Sequence, residues 1–494
     1  MIEKIEKWSI MEAEFQGPAN GNPFADVKIT ATFRCENKNV EVEGFYDGEG
    51  KYIVRFMPDK AGIWNYTTSS NIRQLDGFAG SFECINPSGS NHGPVRVKEE
   101  LHFEYADGTP YYPFGTTCYA WIHQKEELQE RTLETLESSA FNKIRMCIFP
   151  KHYDYNHNEP ELYPYKGSPD KGFDFASFDP KFFRHLEKRI LGLQKSGIEC
   201  DLILFHPYDR WGFSDMGADN DDRYLKYVVS RLSSFRNIWW SMANEYDLFI
   251  DWDTMTPKKT VEDWERLANI VQVNDPYKHL ISIHNCLKFY DYKKAWITHC
   301  SIQRIDVYKT SENTDEWRKL FGKPIVIDEC AYEGNINHCW GNITGQEMTR
   351  RFWEGVVRGG YMGHGETYVH PRDILWWSHG GELHGTSPAR IAFLRKIVES
   401  APGRLNPISK PETGFNPYWD VAAGTVGEDY FLFYFGFSQP SFRIFKMPEG
   451  KKYEVDIIDT WDMTITGEGI HSGDFRIDLP GKQYMAVRLI NVKE

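Results

Sequence analysis

Two glutamates stand at the ends of apolar β-type runs, and their placement defines the chemistry to look for. The run NIWWSMAN (237–244) delivers Asn244 and then Glu245, and the run KPIVIDE (323–329) ends on Glu329. Side chains alternate along a strand, so Ile325, Ile327 and Glu329 are expected on one face, with Asp328 turned away from Glu329 into the wall. Two carboxylates facing one another across a cleft are what cleavage of a glycosidic bond needs. One protonates the leaving oxygen while the other attacks the anomeric carbon or directs water at it. A lone glutamate in such a position is ordinarily a solvated loop carboxylate; the matched pair is what favours the chemical reading. Asp328 and Glu333 are the rival carboxylates of the second run.

Such a pair needs a rigid frame, and the chain supplies the pattern of one. Eight β runs, at 113–119, 142–149, 199–205, 237–244, 279–285, 299–305, 323–329 and 359–365, alternate with stretches in which apolar residues recur at three and four. Eight β runs each followed by a helix is the count of a (β/α)8 TIM barrel, although periodicity is equally compatible with a doubly wound sheet. In a barrel the reactive residues sit at the carboxyl ends of the strands, which puts Glu245 and Glu329 three strands apart on nearly opposite walls of one mouth. Before and after this region short alternating runs with Asp-Gly and Gly-rich turns read as β-sandwiches. The expected domains are an amino-terminal sandwich over 1–92, the barrel over 93–400 and a carboxyl-terminal sandwich over 401–494, with the polar stretch 86–95 as the first boundary.

Composition narrows the partners. The 494 residues carry 57 basic against 71 acidic side chains, a net charge of −14. That is the wrong sign for a protein whose affinity rests on nucleic-acid phosphate or anionic lipid, so neither nucleic acid nor membrane is expected as a partner. Nine cysteines without a CxxC pair suggest no disulfide framework or zinc ribbon. No apolar stretch reaches the ~18 residues of a membrane span and the first residues lack a signal-peptide pattern, so the expected location is cytoplasmic. Aromatic residues make up 15% of the chain. Trp121, Tyr208, Trp211, Trp340, Trp376 and Trp377 all follow β runs, where rings either stack on a sugar or pack in the core. His364 and Glu366, at the eighth run's end, are expected as the far wall of the site. Their HxExxxH spacing lacks helical HExxH geometry, and the acidic run Asp219, Asn220, Asp221, Asp222 lacks the Gly and distal Glu of a calcium loop, so neither metal nor cofactor is expected.

The Asn-Glu dipeptide closing run four, with a second Glu closing run seven, resembles the signature of the clan A retaining glycoside hydrolases. More narrowly, GTTCYAW, NKIRMCIFP and GHGETY resemble the apiosidase-like barrels, and GNPFADV, GFYDGEGKYIVRFMPDKAGIWNY and NHGPV resemble an uncharacterised amino-terminal domain joined to them. The last segment is similar to their carboxyl-terminal β-domain. The resemblance implies that Glu245 is the general acid/base and Glu329 the nucleophile, that Asn244 holds the sugar 2-hydroxyl, and that Arg145 supports the nucleophile. It places His206 and His284 in the pocket lining. Where the clan often has Tyr or His from strand six, this chain has Gln303, with Tyr308 slightly beyond. Long loops after runs one to three, seven and eight suggest a pocket that takes a terminal sugar from small glycosides. A carbohydrate-binding protein on a decayed barrel and a transglycosylase are the alternatives, and the oligomeric state stays open.

Overall fold

A computed structural model describes residues 2–306, 309–371, 375–408 and 416–493. Its centre is a ring of eight parallel strands: β1 (Phe114–Thr117), β2 (Lys143–Cys147), β3 (Glu199–Ile203), β4 (Ile238–Ser241), β5 (Ile281–Ser282), β6 (Cys300–Gln303), β7 (Ile325–Glu329) and β8 (Tyr361–His364). Neighbours run β5-β4-β3-β2-β1-β8-β7-β6, and a parallel bridge between His284 and Ser301 joins the two ends. The ring is a barrel, not a doubly wound sheet. All eight runs of the sequence are strands.

Seven helices cover the outside among the described residues: α1 (Glu126–Ser138), α2 (Pro180–Lys195), α3 (Ala218–Leu232), α4 (Val261–Asn274), α5 (Thr314–Phe321), α6 (Gly345–Val357) and α7 (Ser387–Glu399). The expectation of a helix after every strand fails at β5, where an irregular segment leads to β6. Local signals set the helix starts. Pro180 opens α2 behind Asp179, whose carboxylate accepts from Lys181 N, and Thr260 and Asp263 cap α4 reciprocally. Caps of this kind contribute about 1 kcal/mol each.

The amino end of the barrel is sealed. A three-stranded antiparallel sheet (Val95–Lys98, His102–Tyr105, Pro110–Tyr111) lies under it and brings Val95, Phe103 and Tyr111 against Trp239, Leu280, Val326 and Tyr361. Only the carboxyl end is left for a site.

The first β body pairs a five-stranded sheet with a three-stranded one around Phe33, Phe56, Trp64 and Phe82. It is not wholly antiparallel, because Glu3–Glu6 runs parallel to Ala79–Ile85. A buried ion network ties this body to the barrel helices. Arg55 donates to both oxygens of Glu187 in α2 at 2.6 and 3.0 Å, while Arg231 in α3 donates to Glu187 at 2.6 Å and to Asp47 at 2.7 Å. The last β body, a six-stranded sheet with a two-stranded one around Phe433, Phe445 and Val455, docks on α6, where Trp353 stacks on Tyr434 at 5.3 Å.

Candidate active site

Strand β7 carries the decisive local feature. Ile325 and Ile327 pack outward under the helices, and Val326 points inward to the barrel floor. Strict alternation would therefore send Glu329 outward with the isoleucines. Instead the register with β6 slips: Ile302 pairs with Ile327, but Gln303 pairs with Glu329. Asp328 is the extra residue of a β-bulge, and the bend turns Glu329 to the same side as Asp328. This corrects the expected facing of Ile325, Ile327 and Glu329, and of Asp328, which does not turn into the wall. Its carboxylate lies inside the barrel, accepting from Lys143 Nζ at 2.8 Å and Ser301 Oγ at 2.5 Å.

Below the mouth, two cations and two carboxylates make a fully buried layer. Lys143 bonds Asp201 at 2.5 Å as well as Asp328, and Arg145 lies 3.5 Å from Asp201 and 4.0 Å from Asp328. Arg145 also reaches upward to His284 Nδ1 at 3.2 Å and Asn244 Oδ1 at 3.4 Å. His284 Nε2 lies 3.4 Å from Glu329 Oε1, so the imidazole stands between Arg145 and Glu329. Arg145 thus acts on Glu329 through His284 and by its charge, without a direct hydrogen bond.

Glu245 and Glu329 are both 7% exposed and close together. The Gln303 side-chain amide, turned so that its nitrogen faces them, donates to Glu245 Oε1 at 3.1 Å and to Glu329 Oε2 at 3.3 Å. The opposite orientation would set an amide oxygen against two carboxylate oxygens. Asn244 Nδ2 donates to Glu245 Oε2 at 3.2 Å, Tyr208 donates its hydroxyl to the same oxygen, and Tyr119 donates to Glu329 Oε1. The Glu245 backbone has φ +52°, a left-handed conformation that costs a non-glycine residue about 1–2 kcal/mol.

These surroundings drive the two carboxyls apart. Burial, and then the charge of Glu329, raise Glu245 above the usual carboxylate range. Burial also works to raise Glu329, but the hydrogen bond from His284, the Arg145 guanidinium and the Tyr119 hydroxyl outweigh it and hold Glu329 below that range. The two carboxyls are thus shifted in opposite directions by their surroundings. The pair opens into a cavity of about 770 Å³ walled by Tyr119, Lys151, Tyr153, Tyr155, Tyr208, Trp340 and Trp377, with Trp252 at its rim.

Residues 97–400 match the family described as "Apiosidase-like, catalytic domain". The chain belongs to the apiosidase-like glycoside hydrolases. On either side of the enzyme's barrel, residues 4–71 and 419–490 match two domains of unknown function, DUF5060 and DUF5605. A crystal structure described as a putative glycoside hydrolase from Bacteroides vulgatus ATCC 8482 is 41% identical over 99% of this chain and 100% of its own, with a TM-score of 0.91. A family 5 glycoside hydrolase from the same organism shares the fold at 16% identity, covering 82% of this chain and 94% of its own, with a TM-score of 0.62. A search of curated proteins finds no match.

The enzyme's mouth brings together Asn244, Glu245, Gln303, Glu329, Tyr208, Trp340 and Trp377, with Arg145 and His284 just beneath. Tyr308 lies outside the described residues. Six expected lining residues are instead buried behind the wall. Trp121 turns back under α1 and donates to Gln129 O at 3.1 Å, and Trp376 donates to Thr116 Oγ1 at 2.8 Å. Trp211 stacks on Phe213 with its nitrogen towards Glu159. His206 contacts Phe149 O at 3.1 Å, and burial pushes its imidazole down to about 3. His364 stacks on Phe141 at 4.7 Å. Glu366 accepts from His384 N and belongs to a short ladder with Glu333 and Gly334. Glu333, the rival carboxylate, is fixed at the start of α7 by the backbone of Thr386 and Ser387 at 2.7 and 3.0 Å. Tyr119, Tyr332 and Lys151 were missed. Tyr119 could have been found, since it stands two residues beyond Thr117, which pairs in register with inward-facing Arg145.

Proposed function

We propose that the enzyme is a retaining exo-glycosidase, with Glu329 as nucleophile and Glu245 as acid and then base. The observation that carries the reading is the amide of Gln303 spanning both carboxylates. Two oxygens held by one nitrogen at 3.1 and 3.3 Å lie no more than about 6.4 Å apart, short of the ~6.5–9.5 Å that inverting enzymes leave for a water. In the first step Glu329, held ionised by Arg145, His284 and Tyr119, attacks the anomeric carbon while protonated Glu245 gives its proton to the departing oxygen. The product is a glycosyl ester on Glu329. Glu245, now a carboxylate, takes a proton from water, which displaces Glu329 and releases the sugar with its original configuration. Asn244, positioned by Arg145, is placed to hold a sugar hydroxyl beside Glu245.

Exo action is supported by the shape of the mouth. Tyr155 Oη donates to Asn337 Oδ1 at 2.6 Å and joins the loops after β2 and β7, so the cavity is a pocket on that side. Apiosides are the first substrates to try, on the strength of the family alone. The test is a panel of nitrophenyl glycosides and natural apiosides, with proton NMR of the first-formed sugar. Retained configuration is expected from whichever glycoside is cleaved; an inverted first product would make Glu329 a base and overturn the mechanism.

A further inference from the structure

Lys151 occupies the loop after β2 and is 4% exposed. Among the described lining residues of the catalytic cavity it is the sole lysine or arginine. Its Nζ sits 4.2 Å from the centre of the Tyr119 ring, 4.3 Å from that of Tyr208 and 4.7 Å from that of Tyr153. The hydroxyls of those rings are committed elsewhere, Tyr119 to Glu329, Tyr208 to Glu245 and Tyr153 to Ser378. Among the described residues no carboxylate comes within 4.0 Å of Nζ and no oxygen accepts a hydrogen bond from it. Lys143 and Arg145, the cations below, are by contrast matched by Asp201 and Asp328.

A buried ammonium without acceptors is costly, and ring faces compensate it in part. The burial pulls its pKa down, while Glu245 and Glu329 at longer range favour the charge. The ammonium therefore borders the cavity without a hydrogen-bond acceptor from the described residues. A neutral sugar hydroxyl would accept one proton, whereas a carboxylate would accept more than one and also bring a negative charge into contact, which Glu245 and Glu329 at longer range do not. Phosphate, with its higher charge, calls for several donors, and this wall offers a single cation.

We propose that Lys151 anchors a carboxylate of the substrate, so that one of the sugars bound in the cavity is a uronic acid. This rests on the cavity being the glycoside-binding site. The test is calorimetric titration of the full-length protein with glucuronic and galacturonic acid, their neutral parents glucose and galactose, and glucose 6-phosphate. At least one uronic acid should bind about tenfold or more tightly than its parent, as expected where a site is built around a polar group. Lys151→Met should erase that preference while leaving the affinity for the neutral parent. Equal binding of acid and parent, tighter binding of the phosphate, or a preference that survives in Lys151→Met would overturn the proposal. The comparison on the native protein decides even if the variant misfolds. Turnover separates the two readings: cleavage of neutral glycosides without a uronic preference removes only the role of Lys151, whereas failure to cleave any glycoside counts against the glycosidase mechanism and leaves the binding result to judge Lys151.

Discussion

Glu245→Gln and Glu329→Gln keep the volume of each side chain and remove its ability to exchange a proton or to attack. Each should lower kcat by about three powers of ten or more with the fold intact by circular dichroism. Near-native turnover in either variant would remove that residue from the mechanism. The opposed shifts of the pair also set a pH profile. On the proposed mechanism activity needs Glu329 ionised, so it should be lost as pH falls through a pKa lying below the ordinary range, and needs Glu245 protonated, so it should be lost as pH rises through a pKa lying above that range. The result is a bell in kcat/KM wider than two ordinary glutamates would give. Tyr119 donates to the ionised form of Glu329, so Tyr119→Phe should move the acid limb to higher pH and the alkaline limb much less. An unmoved acid limb would show that this hydroxyl does not tune the nucleophile.

At the scale of elements, the bulge in β7 makes Asp328 and Glu329 neighbours on one side with separate duties. Asp328 is spent on Lys143 and Ser301 inside the barrel. Asp328→Asn leaves Lys143 with Asp201 as its remaining carboxylate, and a broken buried pair costs about 3–5 kcal/mol. The variant should melt well below the native protein while its folded fraction keeps turnover; a stable but inactive Asp328→Asn would move the chemistry to Asp328. The acidic run at the start of α3 is likewise committed, Asp221 to Lys259 and Asp222 to Arg266. Among the described residues no group of His, Cys, Asp and Glu is arranged to hold a metal. Dialysis against a chelator should leave activity unchanged, and loss restored by calcium or zinc would refute this. The barrel was legible because strands buried on both faces leave continuous apolar runs, and eight of them survive any error at their ends. The bulge was not, because one inserted residue changes the facing of Glu329 without changing composition. The tryptophans failed for a similar reason: Trp376 and Trp377 are adjacent and chemically identical, and only the fold sends one behind the wall and the other into the mouth.

The whole molecule behaves as one unit if its β bodies are held as the contacts imply. Arg55, Asp47, Glu187 and Arg231 are buried together between the first β body and the barrel. Arg231→Ala should cost about 3 kcal/mol or more, because it leaves carboxylates buried without their partner. Calorimetry of the native chain should show a single transition, and deletion of residues 1–92 should give insoluble protein. Two separate transitions, or a soluble and fully active truncation, would make the first body an independent module.

The sealed floor closes the amino end of the barrel, and the bridge from Tyr155 to Asn337 closes one side of the mouth. On the proposed retaining mechanism, traffic through the mouth has an order. The alcohol split off in the first half-reaction must depart before water can take its place, and the sugar, bonded to Glu329 until then, goes last. In steady state the free sugar should therefore compete with substrate for the empty enzyme. The departing alcohol meets the loaded enzyme instead, where it vies with water for the sugar and, at high concentration, carries it back out as a new glycoside.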